Sequence, residues 1–168
     1  LLSLITACSP ETAIDTTTVI VGAGQYQIGP PKNIRPPSYA RPRTVTLTYD
    51  YAVSKTEVSI GDWIDVTHEL PDQFCGDASV TMLTLEHPIR CISWCEALLF
   101  ANKKSALNDL DPVYHFREET DKLHHEIDCN ERAQFVEMNH AANGWRLPTE
   151  AEWEIVSQPD ESIPLQQR

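Results

Sequence analysis

Asn143-Gly144-Trp145-Arg146-Leu147-Pro148-Thr149-Glu150-Ala151-Glu152-Trp153-Glu154-Ile155-Val156 is the run whose reading decides the fold. Thr149 and Glu152 stand three apart, the spacing of a capping box, in which a hydroxyl takes the N–H three residues on and a carboxylate returns to the N–H of the cap. Pro148 fixes the approach to that cap, so a helix is predicted from Thr149 to Val156. Working outward, Ser93-Trp94-Cys95-Glu96 repeats the device ahead of Ala97 to Ala101, and that helix should stop near Ala106 because Asn108, Asp109 and Pro112 continue it poorly. Ser59 with Asp62 predicts a third helix start, running through Trp63, Ile64 and Val66.

Between the helix starts the pattern is that of short strands. Val45, Leu47, Tyr49, Tyr51 and Val53 alternate with a period of two, which predicts one half-buried strand from Arg43 onward. Thr16 to Val21 is β-prone, and Gln25 to Gly29 reads as a short strand ending in a glycine turn. Gly22-Ala23-Gly24 is not a dinucleotide fingerprint. Its third glycine would fall at Gln27, and five of the twelve prolines lie between Pro30 and Pro42, where a helix would have to follow. That Pro-rich stretch is expected as an exposed extended loop, and Pro71 to Asp77 as another loop. Pro88 to Ile92 and Pro112 to Phe116 are predicted strands, and Glu118 to Glu131 an acidic hairpin or loop. Short strands and a few capped helices, with neither repeats nor regular βαβ alternation, predict an α+β fold.

The chain of 168 residues has 41% apolar residues, enough for one ordinary core. Thirteen Lys and Arg face 25 Asp and Glu, a net charge of −12. A nucleic-acid surface needs a basic face, so nucleic acid is not expected as a partner. The acid excess falls after residue 58 and suits a solvated surface.

Both ends look different from the middle. Leu1-Leu2-Ser3-Leu4-Ile5-Thr6-Ala7-Cys8 is too short an apolar run to cross a bilayer, but it fits the end of a signal peptide. Ile5-Thr6-Ala7-Cys8 resembles a bacterial lipobox, with Cys8 as the lipidated residue and Ser9 to Thr18 as a polar tether. The alternative is a buried strand with an incidental cysteine; the lipoprotein reading is preferred. It implies a periplasmic or outer-membrane location in a bacterial cell envelope, with membrane contact through the lipid alone.

Taken together, the patterned segments resemble the formylglycine-generating enzyme, or sulfatase-modifying factor, family. The run from Asn143 to Val156 is close to its central signature, through Asn143, Gly144, Arg146, Leu147, Pro148, Thr149, Glu150, Glu152, Trp153 and Glu154. His87 to Asn102 is similar to its Ser-Trp-x-Asp-Ala helix start, carried here by Ser93, Trp94, Glu96 and Ala97, with Glu96 in the Asp position. Tyr26 to Gly29, Val45 to Trp63 and Asp111 to Phe116 match three further segments, the last being like one found in bacterial lipoprotein members. The resemblance implies a C-type-lectin-like fold and covers about the N-terminal half of a complete domain. The expected organisation is therefore residues 1–7 as signal remnant, 8–20 as tether, 21–157 as the N-terminal part of the domain and 158–168 as an irregular tail.

The resemblance also explains the signature as scaffold. Arg146 can hold carboxylates or carbonyls with its planar fork, and Trp145 and Trp153 offer large surfaces to the core. Family enzymes oxidise a cysteine of a target protein to formylglycine with oxygen, copper and a pair of active-site cysteines, and they hold calcium. Those cysteines, and most of the calcium-site residues, belong to the C-terminal half, so no catalytic residue and no copper or calcium ligand is identified in this chain. A protein or peptide is the implied substrate or partner.

With Cys8 lipidated, Cys75, Cys91, Cys95 and Cys129 remain, and three full pairings are open. A Cys75–Cys91 bridge is the working choice. Cys91 and Cys95 have a spacing that could hold Cu(I) as thiolates, but a structural role is preferred because they do not match the family's copper cysteines. His124, His125, Asp128 and Cys129 form a cluster of metal-like composition, read as a solvated acidic loop. Three readings of function follow. The chain is a catalytically incomplete envelope member of the family, a non-catalytic lectin-like binding module, or part of a genuine oxidase.

Overall fold

The computed structural model describes residues 2–7, 17–30, 41–71, 84–116 and 136–158. A four-stranded antiparallel sheet lies at its centre, in the order β2 (Thr18–Val21), β5 (Tyr51–Ser54), β1 (Ile5–Ala7), β8 (Trp145–Arg146). Two hairpin pairs flank it: β3 (Gly24–Ile28) with β4 (Arg43–Leu47), and β6 (Tyr114–Phe116) with β7 (Val136–Met138). Helices α1 (Ile60–Thr67), α2 (Trp94–Leu107) and α3 (Glu150–Ser157) begin at Ser59, Ser93 and Thr149, each with a complete capping box. The mixture of antiparallel strands and helices is the expected α+β class.

The N-terminal residues depart furthest from expectation. Within residues 1–7, read as the remnant of a signal peptide, Ile5–Ala7 forms an inner strand of the sheet. Ile5 faces Val53 on one side and Arg146 on the other, and Leu4 and Ile5 are completely buried. Ahead of the strand, the Leu2 carbonyl accepts the Val58 N–H at 2.8 Å and the Leu4 carbonyl accepts the Ser54 N–H at 3.2 Å. A strand paired on both edges is part of the domain, so the buried-strand alternative is the one realised here. Lipidation at Cys8 requires cleavage just before it, which would remove that strand. Cys8 itself lies outside the described residues, as do Cys75, Cys129 and the His124, His125 and Asp128 cluster.

Two further expectations change. The single strand predicted through Val53 is two strands in different sheets, β4 paired with β3 and β5 paired with β1 and β2. The chain turns between them where the Asp50 carboxylate accepts the Ala23 N–H at 2.7 Å. Pro88 to Ile92 forms no strand beyond a bridge of Pro88 to Ser59. It lies along the start of α1 instead, with Ile89 N–H donating to Val58 O and His87 O accepting from Ile60 N–H, both at 2.8 Å. The domain expected to start at residue 21 thus also includes β1 and β2.

Two apolar clusters fill the interior, and the N-terminal segment serves both, Leu2 and Leu4 ahead of β1 in one and Ile5 of β1 in the other. Leu2 and Leu4 join Val58, Trp63, Leu98, Phe100 and Trp145 in the helical cluster, where Trp63 stacks on Phe100 with ring centres 4.9 Å apart. Ile5 joins Val21, Tyr26, Tyr51, Val53 and Ile155 between the sheet and α3.

Candidate functional site

The signature works in two parts. Asn143, Gly144 and Trp145 clamp the end of α2. Asn143 Oδ1 accepts the Asp111 N–H at 2.9 Å, the Trp145 N–H donates to Ser105 Oγ at 2.8 Å, and the indole N–H donates to Asn108 Oδ1 at 2.9 Å. Lys104 Nζ sits 4.6 Å from the centre of the same indole. Gly144 is required by this close approach, since a Cβ there would lie 2.2 Å from the Asp111 carbonyl oxygen and 2.6 Å from Ser105 Oγ.

Arg146, Leu147, Thr149 and Glu152 form the second part. Glu152 is fully buried, and Arg146 meets it with both fork nitrogens, Nη1 to Oε2 at 2.9 Å and Nη2 to Oε1 at 2.6 Å. Thr149 donates its N–H and its hydroxyl to Oε2 at 2.7 and 2.8 Å, and the Tyr49 hydroxyl donates to Oε1 at 2.9 Å. Tyr51 donates to the Glu152 carbonyl at 3.1 Å, and Leu147 N–H donates to the Tyr114 hydroxyl at 2.9 Å. Burial alone would raise the Glu152 carboxyl, but the hydrogen bonds and charge of Arg146, with those of Thr149, push it down to about 2. Burial, with the Glu152 charge, pushes the Tyr51 phenol up. An ionised carboxylate with five donors on its two oxygens is no proton donor or base at neutral pH. This node is architectural.

The other candidate residues lie apart from it. Of the four tryptophans, all expected in the core, Trp63 and Trp145 are buried, whereas Trp94 and Trp153 are 52% and 53% exposed, against that expectation. They line a common open cleft of about 300 Å³ with Leu2, Ile92, Leu147 and Pro148, and among the described residues no charged side chain lines it. A second hollow, of about 440 Å³, is lined by Arg41, Arg43, Glu150 and Glu154. There Arg43 and Glu150 form a solvent-exposed ion pair at 3.5 Å.

Cys95 is buried and Cys91 exposed, the latter with a left-handed backbone at φ 61°. Both are disulfide-bonded. A disulfide sulfur offers no thiolate, so the Cu(I) pairing of Cys91 with Cys95 has no ligands in this state. Among the described residues no group of three or more His, Cys, Asp and Glu is placed to hold a metal ion. Tyr49, Tyr51 and Tyr114, which reach the Glu152 carboxylate, the Glu152 carbonyl and the Leu147 N–H, are strand residues by their sequence pattern, and nothing in their spacing shows those partners.

The family described as sulfatase-modifying factor enzyme 1-like domain matches residues 6–161. "Chaperone protein LppX" of Paenibacillus barcinonensis is 30% identical over 155 residues, covering 91% of this chain and 50% of that protein. Among solved structures, Treponema denticola variable protein 1 superposes with a TM-score of 0.65 at 27% identity, over 89% of this chain and 54% of that one. CarF, with a TM-score of 0.56 at 21% identity over 86% and 57%, shares the fold alone. The chain spans about half the length of these relatives.

Proposed function

Because the chain belongs to the sulfatase-modifying factor enzyme 1-like family, we propose that it supplies the framework of such a domain at the bacterial cell envelope and carries no cysteine oxidation on its described residues. The observation that carries this reading is the internal commitment of the signature: Arg146, Thr149 and Tyr49 all bond Glu152, and Asn143 and Trp145 bond α2 and its following turn. Groups so engaged position other elements and leave little to offer a substrate.

The envelope location is supported by the lipoprotein-style name of LppX and by the disulfide-bonded state of Cys91 and Cys95, which suits an oxidising compartment. A Cys75–Cys91 bridge remains the proposed pairing. Attachment through Cys8 is not part of the proposal, because the strand before it belongs to the sheet.

Incubating the purified chain with a cysteine-containing peptide, copper and oxygen, and following the peptide by mass spectrometry, tests the reading. Formylglycine should stay at the no-protein background. Turnover above it would overturn the proposal in favour of a genuine oxidase. Saturable binding of a glycan would favour the lectin-like binding module instead.

A further inference from the structure

We propose that the hollow lined by Arg41, Arg43, Glu150 and Glu154 binds a small zwitterion, a molecule with a primary ammonium and an anionic group, the ammonium on Glu154 and the anion on Arg41. The proposal is independent of whether the domain oxidises cysteine. Glu150 and Glu154 stand one turn apart on α3, so their side chains share a face. Arg43 of β4 compensates Glu150 at 3.5 Å. Glu154 lies beyond that pair: its Oε2 is shut off from solvent and meets no hydrogen-bond donor among the described residues. A carboxylate oxygen so placed is destabilising until a donor reaches it. Arg41 lines the same hollow, is exposed, and forms no ion pair among the described residues.

The walls are tied to one another by the fold. Gly29, just after β3, has a left-handed backbone at φ 108°, and a Cβ there would lie 3.0 Å from the Arg41 carbonyl oxygen, so the two segments touch. Gln158 Nε2 donates to the Gln27 carbonyl at 2.8 Å and joins the end of α3 to β3. The lining also discriminates among ligands. A lone metal cation would meet two guanidiniums, and a lone anion would meet two carboxylates. A molecule carrying both charges a few bonds apart meets an opposite charge at each end, through charge-assisted hydrogen bonds. Free α-amino acids and the phosphoethanolamine headgroup of a lipid share this chemistry.

Ligand-observed NMR titrations of the 168-residue chain with L-alanine, O-phosphoethanolamine, ethylamine, acetate and methyl phosphate test this. At least one of the two zwitterions should bind saturably, about tenfold tighter than any of the singly functional probes, each of which forgoes one charge-assisted bond. Tighter binding of L-alanine assigns the site to amino acids, and tighter binding of phosphoethanolamine assigns it to a lipid headgroup. Glu154→Gln and Arg41→Gln should each weaken the zwitterion about tenfold. The comparison among probes uses the unaltered chain, so it decides the matter if a variant fails to fold. Absence of saturable zwitterion binding, equal affinity for a singly functional probe, or zwitterion binding indifferent to either substitution overturns the proposal.

Discussion

The N-termini of α2 and α3 are built alike and carry different weight. Ser93 with Glu96 and Thr149 with Glu152 close the same pair of hydrogen bonds, hydroxyl to N–H one way and carboxylate to N–H the other. Glu96 is partly buried, and its described bonds are those of the cap. Glu152 is fully buried and also takes both arms of Arg146 and the hydroxyls of Thr149 and Tyr49. A four-residue motif thus sets where each helix starts, while the surroundings decide whether its glutamate only caps a helix or ties it to a sheet.

The largest effect should come from removing residues 1–7, because β1 pairs with β8 and places Ile5 opposite Arg146. We expect the truncated chain to lose its cooperative thermal transition by calorimetry, erasing the advantage of the α3 cap. A truncated chain melting like the intact one would break the assignment of β1 to the domain.

Next in size is Glu152→Gln, which leaves the Arg146 charge buried against a neutral partner and should cost about 3–5 kcal/mol in urea unfolding. Replacing the pair together, Arg146→Met with Glu152→Leu, should recover much of that loss, since no charge is then stranded. The pair also predicts a pH signature. The Glu152 carboxyl is held near 2 against an ordinary 4.5, so its stabilisation is complete above 4.5 and is lost as the pH falls toward 2. In Glu152→Gln that part of the acid dependence should vanish. Equal acid sensitivity of the two proteins would mean that the pair does not hold the carboxyl down.

The smallest effect sharpens the contrast. Glu96→Ala removes a partly buried cap bond and should cost about 1 kcal/mol. A loss as large as that of Glu152→Gln would show that the two boxes are equivalent after all.

Much of this was legible because the helix starts are local. Ser59, Ser93 and Thr149 cap as their spacing predicts, and α2 runs to Leu107, close to the expected Ala106. The fork of Arg146 suggested a carboxylate, but its choice of Glu152, six residues on, depends on how β8 turns into α3. Long-range features were misread for an equally plain reason. Seven mostly apolar residues before a cysteine have the composition both of a signal peptide and of a buried strand, and pairing with β5 and β8 is what distinguishes them. Likewise a period of two persists from Val45 to Val53 although the chain changes sheets, because alternation reports sidedness and not partners.

The sequence by itself determined the caps and the family signature, since each is written in residues a few positions apart. Tertiary structure alone decided that β1 is an inner strand, that Glu152 is ionised in the interior, and that Trp94 and Trp153 share a cleft while Trp63 and Trp145 are buried. Those outcomes depend on contacts between residues far apart in the chain, and burial and charge pairing exist only once these contacts form.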